Sequence, residues 1–280
     1  MSWKRTMIFV LAGSCLLLAC DKIEPPYMKT PQGGNGDTEV LLKKILLEDY
    51  TGHTCVNCPA AAKTASDLQQ LYPDQLVIMA VHSGHFAKPQ GDPFLADYRT
   101  EVGEAWEGFF GTAIKPNGVI NRRSNNGNYV VSPGNWPAEV TALLNDPAEI
   151  QFEITPEYNT TNRKLDIAVK GEFLTALTGE YKLIVCILED SIVSPQKNSD
   201  ASAGVTPIIH DYVHRHMLRQ TVNGIWGESI AVQPIANSMF ETQYSLTLNS
   251  QYKAQHCSIM AFVYDAANWE IMQVEEVVME

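Results

Sequence analysis

Positive charge is scarce in this chain of 280 residues: Lys and Arg number 20 against 32 Asp and Glu, a net charge of −12. A surface so short of cations excludes nucleic acid and anionic lipid as partners held by charge, since both demand clustered Lys and Arg. Long apolar runs are also few. The one at the N-terminus, Met7 to Leu18, is shorter than the roughly 20 residues a membrane-crossing helix needs, and no later run approaches that length. Cysteine is sparse, six residues with a single Cys-x-x-Cys, so no second pair completes a four-cysteine zinc site.

What the N-terminus does have is a targeting pattern. Lys4 and Arg5 precede the apolar stretch, and Leu17-Leu18-Ala19-Cys20 closes it. This resembles a bacterial lipoprotein signal, which implies cleavage after residue 19 and lipid on Cys20. An ordinary secretory signal, with no role for Cys20, is the alternative. Asp21 follows directly, a residue that holds some lipoproteins at the inner membrane. Residues 21–38, with three prolines and three glycines, read as a flexible tether. With Cys15 removed and Cys20 lipidated, Cys55, Cys58, Cys186 and Cys257 remain, and spacing alone suggests only the pair Cys55–Cys58.

The remaining length predicts two domains. Over 39–147 strands and helices alternate. Glu39–Leu47 reads as a strand, Cys58–Leu71 as a helix and Leu76–Val81 as a buried strand. Asp92-Pro93 caps a helix through about Phe109. A hairpin is expected around Asn126-Gly127, and a last helix opens at Asn135-Trp136-Pro137. Over 148–280 apolar residues recur with period two, as in Leu165/Ile167/Val169, Leu183/Val185/Ile187 and Ile259/Ala261/Val263. About seven strands without helices between them predict an immunoglobulin-like β-sandwich. Cys186 and Cys257 fall on strands expected to be neighbours in one sheet, either bridged or as two buried small hydrophobes.

The chemistry is expected at Cys55-Val56-Asn57-Cys58. A strand leads into it and Pro59-Ala60-Ala61-Ala62 starts a helix after it. The positive end of that helix favours a thiolate at Cys55. The first domain resembles thioredoxin, in element order and residue by residue. Asp49 stands six residues before the first cysteine, where thioredoxins carry a buried aspartate, and Pro116 stands where they carry a cis-proline. The resemblance implies an exposed, attacking Cys55, a resolving Cys58, Asp49 as proton acceptor and Pro116 as a docking edge for substrate backbone. Thr54 and Val56-Asn57 depart from the usual flanking tryptophan and Gly-Pro, and Ser83–Asp92 is inserted after the second strand.

A static disulfide, and a metal half-site with His53, His82 or His85, are the alternatives; no tight histidine spacing supports the latter. In the second domain His214 and His216 are expected to share one face of a strand, with a polar strand edge as the plainer reading. Trp226, between glycines, reads as an aromatic anchor. The lipoprotein signal, Glu-Asp-Tyr-Thr-Gly-x-x-Cys-x-x-Cys-Pro, His-x-His-Met-Leu-Arg, Trp-Gly-Glu and Ala-Phe-Val-Tyr-Asp together resemble the Omp28-related outer-membrane lipoprotein family. That resemblance implies an outer-membrane location and leaves two functions open. One is a thiol–disulfide oxidoreductase acting on exported proteins or a redox partner. The other is a non-enzymatic module binding a surface protein or glycan. Neither implies a cofactor or a metal.

Overall fold

The computed structural model describes residues 40–279; the expected signal, the lipidation site Cys20 and the tether lie outside the described residues. The described residues begin with β1 (Ile45–Thr51), α1 (Cys58–Leu71), β2 (Leu76–His82), α2 (Glu101–Phe110), β3 (Asn117–Ile120) and α3 (Trp136–Thr141). Strands then dominate: β4 (Ile150–Asn159), β5 (Lys164–Phe173), β6 (Glu180–Glu189), and the short β7 (Ile192–Val193), β8 (Gln196–Lys197), β9 (Ile208–Ile209) and β10 (Val213–His214). β11 (Met217–Thr221), β12 (Glu228–Val232), β13 (Ser238–Thr247), β14 (Cys257–Asp265) and β15 (Ile271–Val278) complete it. The fold is therefore mostly β-sheet with few helices.

One sheet takes strands from both halves of the chain, in the order β15-β14-β6-β11-β2-β1-β3, with β12 also paired to β6. The join is the parallel pairing of Met217 in β11 with Ala80 in β2. A second sheet, β13-β5-β4, packs on β6 and β14 through Phe152, Leu165, Ile167, Val185, Ile187, Ile259 and Val263. Strand alternation sends Ile184, Cys186, Met260 and Phe262 to the opposite face. There they join Leu46, Tyr50, Met79 and Val81 beneath Trp106 and Phe110 of α2. The other face of β1 and β2, with Ile45, Leu47 and Ile78, is covered by Ala61, Ala65 and Leu68 of α1 and by Trp136 and Val140 of α3.

A charged pair lies inside the α2 layer. Arg122 donates to Glu48 across 2.8 Å, both side chains fully buried. The guanidinium lies 4.5 Å from the Trp106 ring centre and 4.8 Å from those of Phe110 and Phe262. The rings face a cation whose charge the carboxylate already balances, the arrangement that makes such burial tolerable.

The first strand runs over Ile45–Thr51 and not Glu39–Leu47, the second helix starts later than expected, and the open question of the two distant cysteines is resolved. Helix α2 starts at Glu101, not at Pro93: the Thr100 side chain accepts from the Gly103 amide, and Glu101 and Glu104 sit in the first turn, where the helix dipole favours them. Asp92-Pro93 instead forms a tight turn in which Phe94 N donates to Gly91 O. Cys186 and Cys257 do lie on adjacent strands, yet the register pairs Cys186 with Met260 and Cys257 with Glu189. They point into opposite layers and are free thiols, so no bridge can form between them.

Candidate functional site

At the end of β1 the chain turns through Gly52 into the cysteine loop. A Cβ on Gly52 would lie 2.5 Å from the Phe86 carbonyl carbon, so only glycine lets the 84–87 turn close over the loop. The Phe86 carbonyl accepts from both the backbone and the hydroxyl of Thr54. Cys55 and Cys58 form a disulfide with Cα atoms 5.5 Å apart, and α1 begins at Cys58 with Pro59 in its first turn. Asn57 gives α1 no side-chain cap and no acidic residue occupies the first turn. The positive end of the helix is thus left uncompensated beside the sulfurs.

Alternation along β1 turns Ile45, Leu47, Asp49 and Thr51 toward α1; along β2 it turns Ile78, Ala80 and His82 the same way. Asp49 is flanked by Ala80 of β2 and Gly118 of β3, in the middle of the ladder. Its Oδ1 has no hydrogen-bond partner. Burial pushes its pKa up to about 7, against the pull of the Lys115 ammonium. The Lys115–Pro116 peptide is cis. The β1–β3 pairing ends at Tyr50 and Asn117, so Pro116 sits one residue beyond the ladder, at the Thr51 end of β1.

A cavity of about 460 Å³ opens between α1 and the carboxyl ends of β1 and β2. Its lining includes Asp49 and His82 from the strands, Cys58, Ala62 and Lys63 from α1, and Tyr212, His214 and Arg215 from the 212–215 segment. A crevice at the carboxyl ends of parallel strands is where open α/β sheets bind ligands.

The exposure expected for Cys55 is corrected. Cys55 is 3 % exposed and Cys58 2 %, because the 194–199 segment, from the distant half of the chain, straps across the loop. The Gln196 amide donates to Cys55 O (2.9 Å) and Gly52 O (3.3 Å), Lys197 N to His53 O (2.9 Å) and Ser199 N to Val56 O (2.9 Å). The Ser199 hydroxyl reaches Asn57 Oδ1 at 2.8 Å. Asn198 braces the strap by donating to the carbonyls of Asp200, Gly204 and Val205. Only Val56 and Asn57 of the motif face solvent.

Behind the loop, three histidines from distant segments converge with Tyr98. His53 and His82 lie 5.2 and 5.5 Å from the Tyr98 ring, and His82 and His214 lie 5.4 Å apart. The Ser194 hydroxyl links Tyr98 OH (2.7 Å) to His214 Nε2 (3.0 Å). Burial lowers the pKa of His53 to about 4 and of His214 to about 3, and drives that of His82 well below its ordinary value. All three are neutral near pH 7. Both nitrogens of His53, and Nδ1 of His82, have no partner. His85, considered with them from the sequence, is exposed on the 84–87 turn. Among the described residues no His, Cys, Asp and Glu side chains are grouped to hold a metal ion.

His214 and His216 do not share a strand face: His216 adopts a left-handed backbone (φ 51°) between β10 and β11, which breaks the alternation. Sequence reasoning missed Gln196, Ser199 and the Glu48–Arg122 pair. Nothing local marks Gln196, since its role is set by a loop some 140 residues away, as the separation to Cys55 shows.

Comparison with known proteins bears on the fold and the family. HBP35 of Porphyromonas gingivalis superposes with a TM-score of 0.62 at 15 % identity, over 85 % of this chain and 76 % of its own. Protein AGR_C_4864 from Agrobacterium tumefaciens gives 0.50 at 12 % identity, over 87 % and 97 %. A domain of the outer membrane lipoprotein Omp28 from Porphyromonas gingivalis is 26 % identical over 48 % of this chain and 89 % of its own, with a TM-score of 0.32. No curated protein matches by sequence. The family model described as outer membrane protein Omp28 matches residues 103–280, well over half of the chain and entirely beyond the cysteine loop. This cell-envelope protein belongs to the Omp28 family.

Proposed function

We propose that the protein is a thiol–disulfide oxidoreductase of the cell envelope, held to the outer membrane by lipid on Cys20 and acting on exported proteins. In this reading residues 39–147 are a thioredoxin-like domain and 148–280 an immunoglobulin-like sandwich that supplies the strap. One juxtaposition carries it: a disulfide at an uncapped helix start, above an unpartnered buried carboxyl with a pKa of about 7. A structural disulfide needs neither.

In the reduced protein the Cys55 thiolate attacks a substrate disulfide and expels one substrate sulfur. Cys58 gives its proton to Asp49, attacks Cys55 in the mixed disulfide and releases the second substrate sulfur. The substrate gains two electrons and the protein regains its Cys55–Cys58 bond. Pro116 presents the edge where the substrate backbone docks. Turnover requires Gln196 and Ser199 to release the loop, so Gln196→Ala speeds exchange at Cys55 several-fold. The test is insulin reduction with dithiothreitol as electron source. Catalysis is expected from the natural protein and none from Cys55→Ser; equal rates would refute the reading.

The burial of both cysteines favours a second reading, a non-enzymatic module binding a surface protein or glycan. Under it, Gln196→Ala leaves insulin reduction at the uncatalysed rate.

A further inference from the structure

We infer that the cavity at Cys58 is the entrance for a small carboxylate-bearing thiol, which reduces the disulfide at Cys58 and not at Cys55; the inference rests on the redox reading above. The two sulfurs are covered differently. The strap holds the carbonyls of Gly52, His53, Cys55 and Val56, and Cys55 does not line the cavity, whereas Cys58 does. Helical spacing along α1 sets Cys58, Ala62 and Ser66 on one side, and all three line the cavity. Its volume, about 460 Å³, lies within the range of small-ligand sites, about 300–1,000 Å³. A folded protein cannot enter it.

Charge selects the class of thiol. In a chain with an excess of acids, this lining carries Lys63 and Arg215 against the single carboxyl of Asp49. Asp67 and Asp190, which pair with those cations at 2.6 and 3.2 Å, do not line the cavity. Two buried polar atoms on lining residues, Asp49 Oδ1 and His82 Nδ1, have no protein partner and are free to meet the incoming group.

The exchange balances as follows. The thiol gives its proton to the Asp49 carboxylate, and its sulfur attacks Cys58 Sγ. The S–S bond breaks and Cys55 leaves as a thiolate, favoured by the positive end of α1. A second thiol, its proton lost to solvent, attacks the small-molecule sulfur of the mixed disulfide. That step frees a small disulfide and the Cys58 thiolate, which takes the proton held by Asp49. Two thiols are oxidised to one disulfide and the protein is reduced by two electrons.

The test treats the oxidised full chain with 3-mercaptopropionate, quenches with excess N-ethylmaleimide and locates both groups by peptide mass. The expected product carries mercaptopropionate on Cys58 and maleimide on Cys55. At equal thiolate concentration, 3-mercaptopropionate should outpace cysteamine, its cationic counterpart, and Ala62→Leu should slow reduction by 3-mercaptopropionate about tenfold. Mercaptopropionate on Cys55, or cysteamine as the faster reagent, overturns the inference. Absence of reduction by either thiol while insulin turnover persists also overturns it and leaves the oxidoreductase reading standing. Loss of insulin turnover as well removes both.

Discussion

Between the three-stranded sheet and β6/β14 the interior is filled by Phe152, Leu165, Ile167, Val185, Ile187, Ile259 and Val263. Around the carboxyl ends of β1 and β2, the interior buries Asp49, His53 and His82 with polar atoms that have no partner. Of the buried, unpartnered side chains among the described residues, all but Thr242 and His256 fall between Asp49 and Arg122. Each such group costs about 1–3 kcal/mol. A fold that packs one interior so fully could have done the same in the other. Part of that cost, at Asp49, His53 and His82, falls around the cysteine loop and its cavity, while Tyr50 and Arg122 carry theirs on the α2 side of the sheet.

The contrast predicts different responses to substitution. The largest is at the buried ion pair: Arg122→Ala leaves the Glu48 charge alone in an aromatic core and should cost about 3–5 kcal/mol in urea unfolding. Asp49→Asn should do the reverse. The folded pKa of Asp49 is raised from 3.8 to about 7, so ionisation opposes folding increasingly as pH rises through that window, and fully above it. Removing the charge should add about 4 kcal/mol at pH 8 and little near pH 4. Equal gains at both pH values would show that the pKa of Asp49 is not raised on folding.

In the apolar interior the limit is space. A Cβ on Gly171 would lie 2.4 Å from Phe240 and 2.6 Å from Phe152, so Gly171→Ala should cost about 1–3 kcal/mol, independent of pH. His53→Phe probes the polar interior with little change in shape, since the ring stacks on Phe94 at 5.7 Å. The folded pKa of His53 is lowered from 6.5 to about 4, so the unfolded chain binds the extra proton and stability falls as pH drops through that window. The variant should flatten that fall; an unchanged slope would place the titration elsewhere. Smallest is the effect of alkylation on the free thiols. Burial raises the pKa of Cys257 to about 12 and of Cys186 further, so native protein should leave both unlabelled by iodoacetamide.

The comparison also shows what a sequence can carry. Period-two alternation located β5, β6 and β14, because a strand with one face on a core writes its orientation into successive residues. The helix at Cys58–Leu71, the buried position of Asp49 and the cis bond at Pro116 were legible too, the last two through the thioredoxin resemblance. The start of α2 was not, since Asp92-Pro93 is a good cap by composition and Thr100 a better one in place. Long-range closure was not legible either. The pairing of Ala80 with Met217, the meeting of His53 with His82 and His214, and the placement of Gln196 over Cys55 all depend on how the halves share a sheet. No local pattern of residues encodes that.

The most direct measurement is the reduction potential of Cys55–Cys58 in the purified protein. A pair kept for exchange sits above about −300 mV, within reach of thiol donors. A value below that would make it a structural bridge and contradict the redox function.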